Sequence, residues 1–458
     1  MKVLLDQLKN IVGPKGWTTD AAEIEPRVTE WRGVVHGSTP IVVSPASTQE
    51  VAAVVGACAK AGVGVVPQGG NTGMCAGAVP DESGTQVILS LGRMNRIRNI
   101  DAANYSMEVE AGCILENAQN AARGADRLFA LSLGAEGSCQ IGGNLSTNAG
   151  GINVVRYGTA RAQVLGLEAV LADGSIVDSM RSLRKDTAGY DLKQLFIGSE
   201  GTLGIITAAM LKLHPVPATI GTALVALETS ADAVRLLTHM KTEFSDAVEA
   251  FELVSDEVFG LVTKLKPELS LPFDRPAPWY VLMDVSIGHD NERLESALVS
   301  AAQLQLVLDA VITKNSAEAE KLWAMRHSIA EAEKAAGKAL KHDISVPISR
   351  MAEFLSRGDE LLRDKAPGAK LVAFGHVGDG NLHYNISMPD SEIDGAAIST
   401  AIYDLVHEFG GSFSAEHGVG RLKREYLPKY CNEGEFELMR ALKKALDPNN
   451  ILNPGKVI

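Results

Sequence analysis

Directly after a predicted strand over residues 62–66, the sequence reads Pro67-Gln68-Gly69-Gly70-Asn71-Thr72-Gly73. A helix does not tolerate this density of glycine, so residues 67–73 are predicted to form a loop. Consecutive backbone N–H groups in such a loop can enclose a pair of phosphates, because glycine lets the backbone approach an anion closely. A tight surface turn has the same composition, so this loop alone leaves both interpretations open.

The segments on either side of this loop alternate between strand and helix over residues 38–92. Ile41–Val43 and residues 87–91 are short apolar stretches typical of buried strands. Between them, Ser47 followed by Glu50 has the spacing of a capping box and predicts a helix. The first part of the chain is therefore predicted to combine a small sheet with helices.

A second glycine-rich tract spans residues 134–151, within a region of short β-like segments. Its residues are too small for a core, so the tract is predicted to be an ordered loop around a ligand. Val164–Val170 is a predicted strand, and Asp173-Gly174 is a typical hairpin turn into the next strand, residues 175–177.

The pattern of predicted elements changes beyond Pro215 and Pro217, which mark a candidate domain boundary. Helical stretches alternate with strands there, which favours an antiparallel sheet with helices on one face, an α+β layer. Helices are predicted over residues 231–243, 292–308, 318–340, 398–409 and 433–446, and strands over residues 280–287, 371–374 and 382–386.

The composition is that of an ordinary soluble globular protein, with a formal net charge of −13 over 458 residues. An acidic chain is a poor electrostatic partner for nucleic acid, so none is expected. We find no apolar run of membrane-spanning length and expect no transmembrane segment. The five scattered cysteines lack Cys-x-x-Cys spacing, which favours a reducing compartment, and the cytoplasm is predicted.

Two common nucleotide-binding motifs are absent from the sequence. It contains neither Gly-x-Gly-x-x-Gly nor Gly-x-x-x-x-Gly-Lys-[Ser/Thr]. A Rossmann dinucleotide site and a nucleotide P-loop are therefore not expected.

The second half contains a histidine pair in a glycine-rich turn. His376 and His383 flank Gly378-Asp379-Gly380, and Glu416-His417 begins 33 residues after His383. Three imidazoles and a carboxylate can supply the ligands of a divalent metal and one group for proton transfer. Hydrogen-bonded structural histidines are the alternative that the spacing leaves open. Asp379 is expected to form the turn.

Several motifs together resemble the vanillyl-alcohol oxidase (PCMH-type) FAD superfamily and, within it, the D-lactate/glycolate/D-2-hydroxyglutarate dehydrogenase family. Residues 67–73 are similar to the pyrophosphate loop of that superfamily, and residues 137–151 are similar to its second flavin loop. Residues 185–191 and 197–207, the histidine motif and the Asn453-Pro454-Gly455-Lys456 end match the family as well. The resemblance spans nearly the whole chain.

This resemblance implies an α+β fold in three parts. They are a two-subdomain PCMH-type FAD-binding domain over residues 1–215, a central α+β substrate domain with an antiparallel sheet over residues 216–408, and a C-terminal helical segment over residues 409–458 that packs back on the flavin and completes the active site. FAD is expected to be non-covalent, because the pyrophosphate loop lacks the histidine through which some relatives tether it. By similarity, FAD is lined by Pro67, Gln68, Gly69, Gly70, Asn71, Thr72, Gly73, Gly137, Ser138, Gly142, Thr147, Asn148, Gly151, Ile205 and Asn453.

The resemblance also implies roles for the second half. His376, His383 and Glu416 correspond to metal ligands, suited to Zn²⁺ with Mn²⁺ or Co²⁺ as replacements, and His417 corresponds to the general base. Six further histidines, His289 among them, are expected to be structural.

Three more residues correspond to substrate contacts in the family. Arg326 and Lys341 are expected to bind substrate carboxylates, and Asn385 is expected to contact substrate near the metal. A second cation, Lys341, favours a dicarboxylate. Ala330 stands where the hydroxyglutarate enzymes carry Thr or Ser, which leaves room for a different 2-hydroxy acid.

The predicted activity is FAD- and metal-dependent oxidation of a D-2-hydroxy acid to the 2-oxo acid. D-2-hydroxyglutarate is the first choice, with D-malate as a side substrate and D-lactate as the in-family alternative. Two alternatives from other classes are a zinc hydrolase and a non-enzymatic flavin-binding protein. The hydrolase would leave the flavin loops unexplained. The electron acceptor (an electron-transfer flavoprotein or a quinone), the native metal and the oligomeric state (a homodimer among the options) are left open.

Overall fold

Two compact units make up the protein. The computed structural model describes residues 1–288, 290, 292–388 and 394–458, so the prediction for His289 lies outside the described residues. Both units combine helices with sheets, which confirms the predicted α+β class. The first unit comprises Met1–Ala149, Thr159–Val216 and Glu416–Ile458, and the second comprises Gly150–Gly158 and Pro217–Ala415.

The first unit contains a four-stranded and a five-stranded sheet. Its strands, numbered in chain order, are β1 (Trp17–Thr18), β2 (Val42–Val43), β3 (Val65–Gln68), β4 (Val87–Ser90), β5 (Ile97–Asp101), β6 (Ser106–Glu110), β7 (Arg127–Leu128), β8 (Val164–Val170), β9 (Ile176–Asp178), β10 (Ile205–Lys212) and β11 (His214–Pro215), the last pairing with β7. The smaller sheet has the order β1-β2-β4-β3, in which β2, β4 and β3 run parallel. The larger sheet, β5-β6-β10-β8-β9, is antiparallel throughout.

Helices pack around these sheets, and several of them share one apolar core with both sheets. They are α1 (Lys2–Val12), α2 (Ala21–Val28), α3 (Thr48–Ala61), α4 (Leu115–Gly124), α5 (Ile141–Ser146), α7 (Lys193–Phe196), α15 (Leu427–Tyr430) and α16 (Glu433–Leu446). The helix predicted from the capping pattern is α3, in which the Ser47 side chain accepts the Glu50 N–H at 3.2 Å. The Glu50 carboxylate accepts the Ala46 N–H instead of that of Ser47, so the box is not reciprocal.

The second glycine-rich tract departs from its prediction. Residues 134–151 were expected to form a loop throughout, but α5 lies inside the tract. Ile141 and Leu145 of this helix are buried in the core of the unit, and this burial stabilises a turn that glycine propensity alone disfavours.

The end of the chain is built into the first unit. The Val65 N–H donates to the Ile451 carbonyl at 2.8 Å, and the Asn453 N–H donates to the Val65 carbonyl at 2.8 Å. Leu452 thereby forms a parallel bridge beside β3. The strand that leads into the residue 67–73 loop is therefore flanked by β4 on one side and by the chain terminus on the other.

The second unit is built on one antiparallel sheet. Its strands are β12 (Ile220–Leu227), β13 (Val248–Ser255), β14 (Trp279–Ser286), β15 (Asp309–Ile312), β16 (Ala339–Leu340), β17 (Asp343–Ser345), β18 (Lys370–His376) and β19 (Asn381–Ser387). Their order is β15-β12-β14-β13-β18-β19-β16, with β17 also pairing with β19. The central strands are almost fully buried, as expected for a sheet covered on both faces.

The helices of this unit correct two predictions. The helix expected over residues 318–340 is two helices that meet at Ser328, whose Oγ accepts a hydrogen bond from Lys266 at 3.1 Å. The helix expected to reach residue 308 ends at Gln303. The helices are α6 (Val154–Tyr157), α8 (Ser230–Phe244), α9 (Asp256–Leu265), α10 (Glu292–Gln303), α11 (Ser316–His327), α12 (Ile329–Ala336), α13 (Met351–Lys365) and α14 (Gly395–Glu408).

One face of this sheet packs against α9, α11 and α12. Leu322, Met325, Ile329 and Ala332 lie in the same apolar cluster as Phe374 of β18. This packing fixes the helical residues Arg326 and Glu333 over the sheet. Among the described residues, no helix combines the length and the hydropathy that crossing a membrane requires.

Candidate active site

The two glycine-rich loops of the first unit lie against each other. A Cβ on Gly70 would collide with the carbonyl oxygen of Ser138, and one on Gly69 would lie 3.3 Å from the Gln140 side chain. Only glycine therefore fits at residue 70 without moving the second loop. None of the backbone N–H groups of residues 69–73 donates a hydrogen bond to another described residue. The loop retains the free donors that a phosphate pair requires.

Buried polar atoms near these loops also fit a polar cofactor. Gln140 Oε1, Asn144 Oδ1 and Asn453 Oδ1 have no hydrogen-bond partner among the described residues, although they are shielded from water. A buried orphan acceptor costs about 1–3 kcal/mol, so such atoms usually have a ligand or water to serve. The side chains and the open loop N–H groups together fit a bound dinucleotide such as FAD.

The remaining candidate cofactor residues lie in or near the second glycine-rich tract, at the start of β10 or in the second unit. Gly142 packs so closely on Ala111 that a Cβ would come within 2.7 Å of the alanine Cβ. Asn148 follows α5 with a left-handed φ of 51°, and its Oδ1 accepts the Arg161 N–H at 3.0 Å. Ile205 is the buried first residue of β10. Gly137, Ser138 and Thr147 lie in the same tract, whereas Gly151 belongs to the second unit.

The tail residues of the first unit surround a buried acid. Glu200 accepts the backbone N–H groups of Val419 and Gly420 at 2.7 and 2.8 Å. Burial raises the pKa of Glu200, while these two hydrogen bonds and Lys423 oppose the rise. The Asn453 amide donates to the carbonyls of Gly77 and Glu200. These contacts tie the Asn453-Pro454-Gly455-Lys456 end to Gly77 and Glu200 of the same unit.

In the second unit, a tight hairpin brings His376 and His383 together. His376 ends β18, His383 lies in β19, and the connecting turn needs Gly380 because its φ is 90°. A ring nitrogen of each histidine lies within 4.8 Å of one on the other, and the ring centroids are 5.8 Å apart. The strand-to-strand arrangement expected from the sequence is the one found.

The alternation of side chains along the strands places the other candidates on the same face. Phe374 and His383 are directly paired across β18 and β19, and Glu252 of β13 is paired with His376. Residues two apart on a strand share a face, so Asn385 lies beside His383 on this side. The sheet register therefore collects these residues beneath α11 and α12.

A carboxylate lies behind each histidine. His376 Nδ1 donates to Glu252 Oε1, and His383 Nδ1 lies 4.0 Å from Asp343 Oδ1. Asp343 also accepts the Asn381 side-chain amide at 3.0 Å. Because Glu252 accepts the Nδ1 proton of His376, the lone pair of that ring lies on Nε2, the nitrogen that would bind a metal. This donor set fits a divalent cation that prefers imidazole and carboxylate ligands.

Arg326 lies over this face with defined contacts. Its Nε donates to Glu252 Oε2 at 2.7 Å, and its guanidinium carbon lies 4.9 Å from the centroid of the Phe374 ring. Burial raises the pKa of Glu252, but the charges and hydrogen bonds of His376 and Arg326 outweigh it and lower this pKa to about 2. Nε is engaged by Glu252, and the two terminal nitrogens are the donors that suit an external carboxylate.

Lys341 and Asn385 share a second buried carboxylate. Glu333 of α12 accepts Lys341 Nζ at 3.1 Å and the Asn385 amide at 2.7 Å. The Asn385 carbonyl oxygen accepts the His342 N–H at 3.2 Å. A lysine ammonium has three donors, so Lys341 can hold Glu333 and a further acceptor together.

Glu416 and His417 directly follow Ala415, a residue whose backbone is hydrogen-bonded to Asp343. The Ala415 N–H donates to the Asp343 carbonyl at 3.3 Å, and Glu416 follows through one peptide bond as the first residue of the last stretch of the first unit. Asp379 has the expected turn contact, its Oδ1 accepting the Asn381 N–H at 3.0 Å. Burial raises the pKa of Asp379 to about 6.

Three acidic residues of this site were not foreseen: Glu252, Asp343 and Glu333. Glu252 interrupts the otherwise apolar run Ala250-Phe251-Glu252-Leu253-Val254, and a charge within a buried strand is a signal of function. Glu333 follows Arg326 by seven residues, two helical turns, which would place both on one helix face. Both signals were present in the sequence.

Two family matches cover most of the chain. Residues 39–179 match the FAD binding domain family, and residues 216–457 match FAD linked oxidases, C-terminal domain. The D-2-hydroxyglutarate dehydrogenase of Bos taurus, a mitochondrial protein, is 39% identical over 450 residues, covering 96% of this chain and 80% of its own. A putative mitochondrial D-lactate dehydrogenase of Schizosaccharomyces pombe is 33% identical, covering 98% and 89%.

The solved structure of p-cresol methylhydroxylase shares the fold. Its TM-score is 0.79 at 16% identity, over 100% of this chain and 96% of that one. The fold and the family matches define an FAD-linked oxidoreductase. The chain belongs to the FAD-linked oxidase family, in its branch of FAD-dependent D-2-hydroxy-acid dehydrogenases.

Proposed function

We propose that this enzyme oxidises D-2-hydroxyglutarate to 2-oxoglutarate with non-covalent FAD and a divalent metal, and that D-malate is a side substrate. The observation that carries the substrate assignment is the placement of two cations, Arg326 and Lys341, in the same unit as the histidine pair. Two cations match the two carboxylates of a dicarboxylic hydroxy acid. The name of the Bos taurus relative supports the same substrate.

FAD is proposed to bind residues 67–73 and the 137–151 tract, with Ile205 and Asn453. The free N–H groups of the first loop and the orphan oxygens of Asn144 and Asn453 support this assignment. When bound, the flavin supplies a hydride acceptor. Cys75 is buried and its thiol donates to the Gly418 carbonyl at 3.3 Å, which supports a packing role.

His376, His383 and Glu416 are proposed to hold the metal, with Zn²⁺ preferred and Mn²⁺ or Co²⁺ as replacements. The Glu252 carboxylate behind His376 supports this role, because accepting the Nδ1 proton puts the lone pair of that ring on Nε2. When bound, the metal lowers the pKa of a coordinated hydroxyl group.

His417 is proposed to take the proton of the substrate hydroxyl. Its position directly after Glu416 supports the role, because neighbouring residues cannot easily both bind one metal ion. Arg326 and Lys341 would orient the two carboxylates, and Asn385 would contact the substrate near the hydroxyl. Fixed orientation of this kind lowers the entropic part of the barrier.

D-lactate is the second candidate substrate. Ala330 lacks the hydroxyl that the hydroxyglutarate enzymes carry there, and one relative is a putative D-lactate dehydrogenase. Lys341 opposes this candidate, because a monocarboxylate leaves the second cation without a partner in the substrate.

The domain roles and the cellular context remain proposals as well. We assign FAD binding to residues 1–215, substrate binding to residues 216–408 and completion of the active site to residues 409–458. An electron-transfer flavoprotein or a quinone would reoxidise the flavin, and a homodimer is one assembly consistent with the family. The cytoplasm is the proposed location, although both relatives described above are mitochondrial proteins by name.

The test is anaerobic reduction of the protein-bound flavin. The loss of flavin absorbance at about 450 nm reports the reduction. D- and L-2-hydroxyglutarate, D-malate and D-lactate would be compared, with and without prior removal of metal by EDTA. We expect D-2-hydroxyglutarate to bleach the flavin at a lower concentration than the other substrates do. We expect this bleaching to disappear when the metal is removed. Preference for D-lactate would contradict the dicarboxylate assignment, and equal bleaching by metal-free protein would contradict the metal.

A further inference from the structure

Glu252 is the most enclosed acid among the described residues of the second unit, and it contacts both a proposed metal ligand and a proposed substrate-binding residue. It lies in β13, a strand in which every residue is buried, and its side chain is 0% exposed. An ionised carboxylate in such a place is costly unless it is paired and hydrogen-bonded. Its two oxygens must therefore be accounted for separately.

The two oxygens serve groups with different proposed tasks. Oε1 accepts the Nδ1–H of His376, and Oε2 accepts the Nε–H of Arg326 at 2.7 Å. The first contact fixes a proton on Nδ1 and so leaves Nε2 of His376 as a lone-pair donor. The second contact occupies the inner edge of the guanidinium and leaves its two terminal nitrogens for an external carboxylate.

The backbone makes this bridge rigid. Glu252 and His376 are directly opposite residues of two paired strands, β13 and β18. Arg326 comes from α11, whose Leu322 and Met325 are buried in the cluster that packs on this sheet. The Phe374 ring supports the guanidinium from below. A shift of Glu252 would therefore move both partners at once.

We propose that Glu252 is a positioning residue that couples the metal ligand His376 to the substrate-binding Arg326, setting the tautomer of one and the orientation of the other. The inference rests on the proposed function, since it assigns a metal to His376 and a substrate carboxylate to Arg326. Its distinct content is that one side chain controls both metal affinity and substrate affinity.

Glu252→Gln tests this coupling, because glutamine keeps the volume but cannot accept at both ends. Its amide nitrogen would face either His376 Nδ1–H or Arg326 Nε–H, so one donor loses its partner. Loss of a metal ligand's supporting carboxylate usually weakens metal binding by roughly 10- to 100-fold. We expect a weakening of that order for zinc and a rise of about tenfold or more in KM for D-2-hydroxyglutarate.

The matched control is Glu249→Gln. Glu249 lies on the same strand, is buried, and is paired with Arg156 and Ser286 instead of the site residues. This variant is expected to leave zinc affinity and KM unchanged even if its melting temperature falls. Arg326→Lys is the second comparison, expected to raise KM without changing zinc affinity.

The measurements are zinc affinity by competition with a chromogenic chelator, flavin content, melting temperature, and KM against kcat. If wild-type protein binds none of Zn²⁺, Mn²⁺ and Co²⁺, the proposed function fails and the role of Glu252 fails with it. If wild-type binds zinc and Glu252→Gln matches it in zinc affinity and KM, only the positioning role is overturned. Should Glu252→Gln fail to fold, Glu252→Asp carries the same test, since retraction by one methylene must weaken both affinities.

Discussion

The guanidinium carbon of Arg326 lies 4.9 Å from the ring centroid of Phe374, and that ring lies 4.8 Å from the ring of His383. One aromatic side chain thus separates Arg326, the cation proposed to bind a substrate carboxylate, from a histidine of the candidate metal pair. Stacking on an aromatic face suits arginine better than lysine, because the guanidinium is planar and weakly hydrated.

Arg326→Lys is therefore expected to raise KM for the 2-hydroxy acid by about tenfold or more, which corresponds to roughly 1.4 kcal/mol. Lysine keeps the positive charge, but it lacks the paired N–H donors of the guanidinium and cannot stack on the Phe374 ring in the same way. Steady-state kinetics would measure this, with Arg357→Lys as the control. Arg357 also pairs with a glutamate and lies over a phenylalanine, but at an exposed site. Equal KM in both variants would contradict the role of Arg326.

Lys341→Ser is expected to shift the preference from D-2-hydroxyglutarate towards D-lactate. Serine removes one of the two cations proposed to meet the substrate carboxylates and leaves Glu333 paired with Asn385 alone, so its charge repels the second carboxylate. The ratio of kcat/KM for the two substrates should fall by about tenfold or more. Lys338→Ser, three residues earlier and exposed, should leave the ratio unchanged. An unaltered ratio in Lys341→Ser would remove this lysine from substrate selection.

His417→Ala should lower kcat by about 100- to 10,000-fold while flavin content and zinc affinity stay near wild type. The variant removes the proposed proton acceptor but none of the proposed ligands. Rapid-mixing measurement of anaerobic flavin reduction isolates this step, and the exposed His407→Ala serves as the control. Reduction at the wild-type rate would show that another group takes the proton.

Gly70→Ala should impair FAD binding and lower the melting temperature. The added methyl group collides with the Ser138 carbonyl and must push the two loops apart, and overpacking of this kind usually costs about 1–3 kcal/mol. Gly124→Ala is the control, because apart from its chain neighbours and its own helix backbone no atom lies within 4 Å of the position that its new Cβ would take. Flavin absorbance per protein and thermal melting measure the effect. Full flavin content in Gly70→Ala would contradict the tight loop contact.

Asp284→Asn should stabilise the protein above pH 6 and have little effect near pH 4. Burial raises the pKa of Asp284 to about 6, although Thr222 and Trp323 donate to it and oppose the rise, while nearby Glu249 adds to it. Because the folded-state pKa lies above the unfolded one, the folded state binds more protons between about pH 4 and pH 6, and stability falls as pH rises through this window. The gain at neutral pH is at most about 3 kcal/mol.

Asparagine can keep both contacts, its oxygen accepting from Trp323 and its nitrogen donating to Thr222. Melting curves of both proteins at pH 5 and pH 8 provide the measurement. A stability difference that does not grow between these two values would show that Asp284 ionises without a penalty.

Local patterns were sufficient to predict many elements of this fold. β8 was predicted at its observed bounds, as was α16, because alternation and helical periodicity are recorded in neighbouring residues. The break at Ser328 was missed because no glycine or proline marks it. At the break, Ser328 accepts a hydrogen bond from Lys266, which lies 62 residues away in the sequence. The helix inside the glycine-rich tract was missed for a similar reason, since burial of Ile141 outweighs its local propensity.

In the candidate site too, features set by neighbouring residues were predicted, and features set by distant residues were missed. The histidine hairpin was predicted from two residues and a turn, and the structure brings His376 and His383 together. Glu252 and Glu333 were not predicted, because their partners come from other strands and helices that only the sheet register aligns. Charged residues at apolar positions were the sequence signal for them, and weighing that signal requires knowing which positions are buried.

The bridge between Val65 and Leu452 has a consequence for biosynthesis. During translation the ribosome produces Leu452, the neighbour of β3, only after the whole of the second unit has been made. The first unit must therefore wait, with one strand edge open, while the second unit can already fold. Open strand edges are prone to wrong pairing, so the nascent chain is most exposed to aggregation in this interval.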